Sequence, residues 1–249
     1  RPLIDRGLVT VFSANFALCG DLSRRVMATL RSLVPGIEVY SIDEAFFDLR
    51  GMAEPLDELG RSIGRTIRRN VGIPVSIGIA PTKTLAKIAS KLAKQYPRLN
   101  GCCYMHRPED ITKVLRKFPL LDVWGIGRKL VKKLNFMGIF TAAELAAAPR
   151  ALIRQSFGIL TEKTLQELNG ISCIELEDAK IQKSILCSRS FETEINSFEN
   201  LKKIISEFID SACLRLREQN GLARGIVVFI ATNRFREQRY SNSRLVSLK

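Results

Sequence analysis

Between Tyr40 and Leu49 the chain reads Tyr-Ser-Ile-Asp-Glu-Ala-Phe-Phe-Asp-Leu, so two adjacent carboxylates, Asp43 and Glu44, interrupt an apolar run. Ile37, Val39, Tyr40 and Ile42 lead in, and Ala45, Phe46, Phe47 and Leu49 lead out, the pattern of two strands that meet at the acids. Such a pair must turn one face into a core while holding two negative charges at its tip. Burying one carboxylate beside another is costly unless a proton or a cation offsets the charge. A divalent cation keeps both ionised, and hard oxygen donors suit Mg²⁺. The plainer reading is a solvated Asp-Glu turn between two strands, which the dipeptide alone favours, and the flanking hydrophobic residues narrow the gap without closing it.

The rest of the chain narrows the choice. Its 249 residues, 46% of them hydrophobic, are enough for two domains or one large one, with a buried core. Lys and Arg number 39 against 25 Asp and Glu, a formal charge of +14 that points to a polyanionic partner. No apolar run reaches membrane-spanning length, and no segment joins a broad basic face to exposed aromatics, so nucleic acid is favoured over a membrane. The positive excess is spread along the chain, which fits a charged groove made by several modules rather than a basic tail. The six cysteines lack CxxC spacing and read as reduced, buried thiols of a cytoplasmic protein with no zinc site. His106 is the single histidine and, like Trp124, reads as structural. Both termini read as cuts through a larger protein, since each lies close to a strand pattern.

Residues 1–105 alternate strands and helices. The spacing predicts a strand over Leu8–Phe12, a helix opening at Asp21 and ending before Pro35, a helix carrying Leu56, Leu59, Ile63 and Ile67, and a strand through Val75, Ile77 and Ile79. Thr82 is placed to cap a helix with the apolar stripe Leu85, Ile88, Ala89 and Leu92. Residues 106–180 read as helical, with a Thr141–Glu144 capping box and with Gly138 and Gly170 as helix stops. After a linker at 179–185 come a strand (Ile185 to Phe191), a helix (Phe198 to Gln219) and strands at Gly225–Ala231 and Arg244–Leu248. The fold class is α+β: a mixed sheet with helices, a helical segment and a small α+β unit.

Two further patterns carry charge. Trp124-Gly125-Ile126-Gly127-Arg128-Lys129, followed by Gly138-Ile139-Phe140-Thr141 and another helix, has the form of a helix-hairpin-helix. Its glycines free backbone amides at a helix N-terminus, where a phosphate fits, and grip of this kind does not read sequence. Lys83, Lys87, Lys91 and Lys94 share one helix face, which is either a solvated stripe or a set of phosphate contacts. Arg234, Arg236 and Arg239 could line a nucleic-acid path, and equally could be surface arginines.

Taken in order, SIDEAFFDL, GIPVSIGIAPTKTLAKIASKLAK and DVWGIGRKLVKKLNFMGI, with Cys187-Ser188-Arg189-Ser190-Phe191 after them, resemble the Y-family translesion DNA polymerases, and in particular the UmuC type. The resemblance implies a right-handed polymerase: a partial palm at 1–105, a helical thumb with its helix-hairpin-helix at 106–180 and an incomplete little finger at 183–249. It implies lesion bypass in the SOS response by two-metal nucleotidyl transfer, with primer–template DNA and a deoxynucleoside triphosphate as substrates. Asp43 and Glu44 match the catalytic Mg²⁺ ligands, Asp43 bridging two ions and Glu44 holding the one that activates the primer hydroxyl. Lys94 matches the lysine on the incoming triphosphate, and Gly125 and Gly127 match the thumb turn on the DNA backbone. Arg128, Lys129, Lys83, Lys87 and Arg189 are the further DNA-contact candidates. The processed UmuD dimer, RecA and the sliding clamp are the implied partners.

The resemblance also places a third metal-binding Asp, the aromatic that excludes ribonucleotides, and the fingers ahead of Arg1; neither Asp5 nor Asp21 sits in a matching motif. The expectation is therefore that the chain is incomplete and inactive alone. The alternative is a DNA-backbone-binding fragment that performs no chemistry. A helix-hairpin-helix glycosylase is disfavoured, because residues 140–149 offer no suitably placed Asp or Lys.

Overall fold

A computed structural model of the chain describes residues 2–12, 14–52, 55–176, 183–191, 193–233, 235 and 237–248. It divides into two compact units, Arg1–Ala179 and Lys180–Lys249. Among the described residues the strands pair as three separate two-stranded ladders flanked by helices, an α+β arrangement.

The first unit opens with a short helix α1 (Pro2–Asp5) and then α2 (Phe16–Arg31). Asn15 caps α2 by accepting from the Leu18 amide at 3.0 Å, so the helix starts five residues before the Asp21 read from sequence. Residues 8–12, predicted as a strand, are not one: Leu8, Val11 and Phe12 are exposed and no ladder forms there. A strand needs a partner to satisfy its backbone, and among the described residues none pairs with this segment.

Strands β1 (Ile37–Val39) and β2 (Ala45–Phe47) form the antiparallel acidic hairpin, with Glu38 opposite Phe46. Helix α3 (Leu56–Val71) ends at Gly72, whose φ of +84° suits glycine. Strand β3 (Ile77–Ile79), helix α4 (Lys83–Gln95) and strand β4 (Cys102–Tyr104) follow, and β3 runs parallel to β4. Strand β4 was not predicted; its three residues are too few to show alternation. Gly78 lets α4 lie directly on β3, for a Cβ there would sit 2.1 Å from both the Ala86 carbonyl oxygen and the Ser90 amide nitrogen.

Helices α5 (Pro108–Leu115), α6 (Arg128–Phe136), α7 (Ala142–Ala147), α8 (Arg150–Phe157) and α9 (Ile159–Leu168) build the helical part. The capping box at α7 forms as read: Thr141 accepts from the Glu144 amide, and the Glu144 carboxylate accepts from the amides of Thr141 and Phe140. Those backbone donors hold the Glu144 carboxyl below the usual range. One core runs from Leu85, Ile88 and Ala89 of α4 through Cys103 and Met105 to Leu134, Leu145, Ile153 and Leu168, so packing is continuous across residues 105 and 106. A second core joins Met27 and Leu30 of α2 to Ile63 and Ile67 of α3 and to Ile77 and Ile79.

Glu167 ties these parts together. Wholly buried on α9, it accepts from the Thr84 amide in the first turn of α4 at 2.9 Å and from the amides of Cys173 and Ile174 at 3.0 and 3.2 Å. A carboxylate at a helix N-terminus also meets the positive end of the dipole. Cys102 and Cys103 are the two buried thiols, and desolvation pushes Cys102 up to about 11. Cys19 is exposed and the other three are half-buried, which departs from the expectation of six buried thiols.

The second unit holds α10 (Phe198–Glu218) and an antiparallel ladder of β5 (Gly225–Ala231) and β6 (Ser241–Ser247). Residues 185–191, predicted as a strand, form none. Arg234 and Arg236 lie outside the described residues, as do residues 179–182 of the expected linker.

Candidate functional site

The acidic residues sit at the tip of the β1–β2 hairpin rather than inside it. The amides of Tyr40 and Ser41 both donate to the Glu44 carbonyl at 3.0 Å and close the turn. Asp43 is exposed, and its Oδ1 accepts from the Ser41 hydroxyl at 2.6 Å. The Glu44 side chain is 42% exposed. The plainer of the two sequence readings, a solvated Asp-Glu turn between two strands, is the one the structure shows, and only the strands behind the turn enter the apolar layer.

A cation is already at hand for one of them. Lys87 of α4 pairs with Glu44 through Nζ and Oε1, and its ammonium lies 5.6 Å from the centre of the Tyr40 ring. The lysine face of α4 is thus neither a bare solvated stripe nor a row of free cations. Lys83, with a side chain 9% exposed, pairs with Glu38 of β1 at 2.5 Å, donates to the Glu175 carbonyl at 2.6 Å and rests over Phe46. Lys91 pairs with Asp122 at 2.6 Å. Lys94, in the last turn of α4, is exposed. It stands seven residues beyond Lys87, about 10 Å along the helix.

Asp122 ends a 3₁₀ turn, Leu120–Asp122, that leads into the glycine turn. Gly125 has φ +83°, and Gly127 takes the N-cap position of α6 with no side chain capping it. Gly125, Gly127, Arg128 and Lys129 are all exposed, so backbone amides and two cations face solvent at one helix start. Trp124, immediately before this turn, donates its Nε1–H to the Tyr40 hydroxyl at 3.0 Å. Tyr40, Phe46 and Trp124 form one aromatic cluster, with ring centres 5.3–5.7 Å apart. The acidic turn and the glycine turn are therefore joined twice, directly through Tyr40 and Trp124 and through α4 by Lys87 and Lys91. Sequence reasoning left Trp124 as structural and did not find this link; the only signal was an aromatic residue immediately ahead of each turn. Arg189, exposed, belongs to the second unit.

Two adjacent carboxylates offer hard oxygen donors, and Mg²⁺ is commonly held by one or two carboxylates completed by water and substrate phosphates. Among the described residues no donor reaches Asp43 Oδ2, and Asp43 and Glu44 fit such an ion in chemistry. No set of three or more His, Cys, Asp or Glu side chains gathers there among the described residues. Among the same residues no helix is long and apolar enough to cross a membrane.

Comparison with known proteins gives this geometry a family. The Dbh–Dpo4 Y-family DNA polymerase chimera shares the fold with a TM-score of 0.71 at 25% identity, over 94% of this chain and 66% of that one. Residues 4–91 match the impB/mucB/samB family and residues 182–249 match the C-terminal domain of the same family. The UmuC protein of Salmonella typhimurium is 39% identical over 249 residues, covering 98% of this chain and 59% of its own length. The ImpB protein of Salmonella typhimurium is 40% identical over 247 residues, covering 96% and 58%. The chain belongs to the impB/mucB/samB family of Y-family DNA polymerases, and it spans a little under three fifths of the length of these two relatives.

Proposed function

We propose that the chain is the metal-binding and DNA-gripping portion of a lesion-bypass DNA polymerase of the UmuC type, which extends a primer by template-directed nucleotidyl transfer. The observation that carries this reading is the joining of the acidic turn to the glycine turn within one unit, through Glu44–Lys87, Lys91–Asp122 and Tyr40–Trp124. A centre that transfers a nucleotide to a primer terminus must hold its charged groups at a fixed distance from the DNA backbone, and links of this kind support that reading.

Asp43 and Glu44 hold Mg²⁺, and when bound the ions lower the cost of charge on the attacking and leaving oxygens. Lys94, exposed at the end of α4, meets the triphosphate. The amides of the Gly125–Gly127 turn, with Arg128 and Lys129, grip the DNA phosphates without reading bases. Arg189 adds a contact from the second unit. Lys87 serves the acidic turn first, and Lys83, buried in its ion pair, acts on DNA only by fixing the hairpin. The processed UmuD dimer, RecA and the sliding clamp are the partners of the whole protein in this reading, and the reaction places it in the response to DNA damage.

The test is incorporation by the full-length protein on intact and abasic templates. Asp43→Ala is expected to reduce incorporation to background while leaving DNA affinity within about two-fold, and that affinity is expected to fall steeply with salt. Retained incorporation by the variant overturns the assignment of the acidic turn.

A further inference from the structure

We infer that Tyr40 and Trp124 are a positioning pair for the acidic turn, fixing Asp43 and Glu44 in metal-binding geometry by tying that turn to the DNA-gripping turn. The inference deepens the proposed function and rests on it. Its ground is how little else restrains the tip of the hairpin. Asp43 is exposed, Ile42 is 51% exposed, and among the described residues Asp43's side chain is held by the hydroxyl of Ser41 alone, itself part of the turn. Besides the Glu44–Lys87 ion pair, Tyr40 is where the turn reaches the body of the unit. Its amide donates to the Glu44 carbonyl. Its ring packs on Phe46 and under the Lys87 ammonium. Its hydroxyl accepts from Trp124, one residue before Gly125.

A hydrogen bond on an aromatic pair sets both distance and direction, so the indole fixes where the Tyr40 ring lies. The ring in turn sets where Lys87 stands against Glu44. Partners one step behind a metal ligand govern affinity through orientation, and their loss commonly costs about 10–100-fold in metal binding. The Tyr40 hydroxyl is engaged by Trp124 and the indole has no lone pair to give a cation, so in this inference their effect is felt through the carboxylates. DNA held at Gly125–Gly127 stiffens the same link, and the two turns act as one site.

Mn²⁺ binding to the 249-residue chain, followed by the electron paramagnetic resonance of the free ion, tests this on wild type, Tyr40→Phe, Trp124→Phe and the double variant. Both single variants keep an aromatic ring and lose the hydrogen bond. Each is expected to weaken Mn²⁺ binding about ten-fold, and the double variant no further, with DNA affinity within about two-fold of wild type. Trp124 is the only tryptophan of the chain, so its emission gives a second readout: Mg²⁺ is expected to shift it in wild type and not in Tyr40→Phe. Unchanged Mn²⁺ affinity in the single variants, with or without a lowered melting temperature, overturns the positioning role. If Asp43→Asn abolishes Mn²⁺ binding in that case, the acidic turn stands and only the inference fails. If wild type binds no Mn²⁺ and Asp43→Asn changes nothing, both fail.

Discussion

In the first unit Leu85, Ala89, Leu134 and Ile153 are wholly shut off from water, whereas in the second α10 buries nothing and Val227, Phe229 and Leu245 of the ladder stay exposed. Composition does not explain the contrast. Helix α10 repeats Leu201, Ile204, Ile205, Phe208 and Leu216 at helical spacing, the same kind of stripe that α3 and α4 carry. The difference is what lies opposite. The α3 and α4 stripes meet strands and further helices, while among the described residues the stripe on α10 is only half-buried. Apolar patterning makes an element; a second surface makes a core. In the proposed function this contrast becomes a division of labour, with the carboxylates and the glycine turn on the well-packed unit, where their geometry can be kept, and the proposed backbone contact Arg189 on the open one.

The sharpest way to break the contrast is a single methyl group. Gly78→Ala drives a Cβ into three backbone atoms of α4 that cannot rotate away, and about 3 kcal/mol or more of stability is expected to be lost in the first unit. Gly221→Ala in the second unit meets only the ends of the Leu216 and Gln219 side chains and is expected to cost less than about 1 kcal/mol. Urea unfolding with hydrogen exchange read separately over 56–95 and 198–231 distinguishes the two.

A smaller effect concerns how each unit ends its helices. Glu167→Ala leaves the buried Thr84 amide in the first turn of α4 and the half-buried amides of Cys173 and Ile174 without this acceptor, and a loss of about 2–3 kcal/mol is expected. In the second unit Ser197 caps α10 through a long 3.4 Å bond, and Ser197→Ala is expected to cost about 0.5–1 kcal/mol by the same measurement. Equal losses would show that the two helix starts are equally buried, against the structure.

The smallest effect is one of pH. The Arg150 guanidinium, with Arg154 beside it, holds the Glu162 carboxyl below its ordinary value of 4.5. A carboxyl lowered on folding contributes its stability above the unfolded value and loses it as pH falls through the lower folded value. Acid unfolding of the first unit below about pH 4.5 is therefore expected to be shallower in Glu162→Gln than in wild type, with no change in the second unit. Identical acid profiles would remove Glu162 from the acid sensitivity of the fold.

Much of the first unit was legible because its signals were local: Thr82 and Thr141 as caps, Gly138 and Gly170 as stops, and the stripe on α4. The acidic hairpin was legible for the same reason. What failed depended on partners. Leu8–Phe12 and Ile185–Phe191 have the composition of strands, but strand formation is settled by a neighbour rather than by the run itself. Cys102–Tyr104 is a strand because Ile77–Ile79 lies beside it. The roles of Lys83 and Lys91, and the Tyr40–Trp124 bond, join residues 31–84 positions apart, where no spacing rule reaches.

The assignment of the acidic turn as the metal centre facing DNA is tested most directly by local cleavage. Fe²⁺ bound in place of Mg²⁺, with ascorbate and peroxide, generates radicals that cut whatever backbone lies close to the ion. With primer–template DNA bound, polypeptide cuts are expected around residues 40–47 and 122–126, with DNA cuts near the primer terminus, and all are expected to vanish in Asp43→Asn. Cuts centred elsewhere, or a pattern that survives Asp43→Asn, would contradict it.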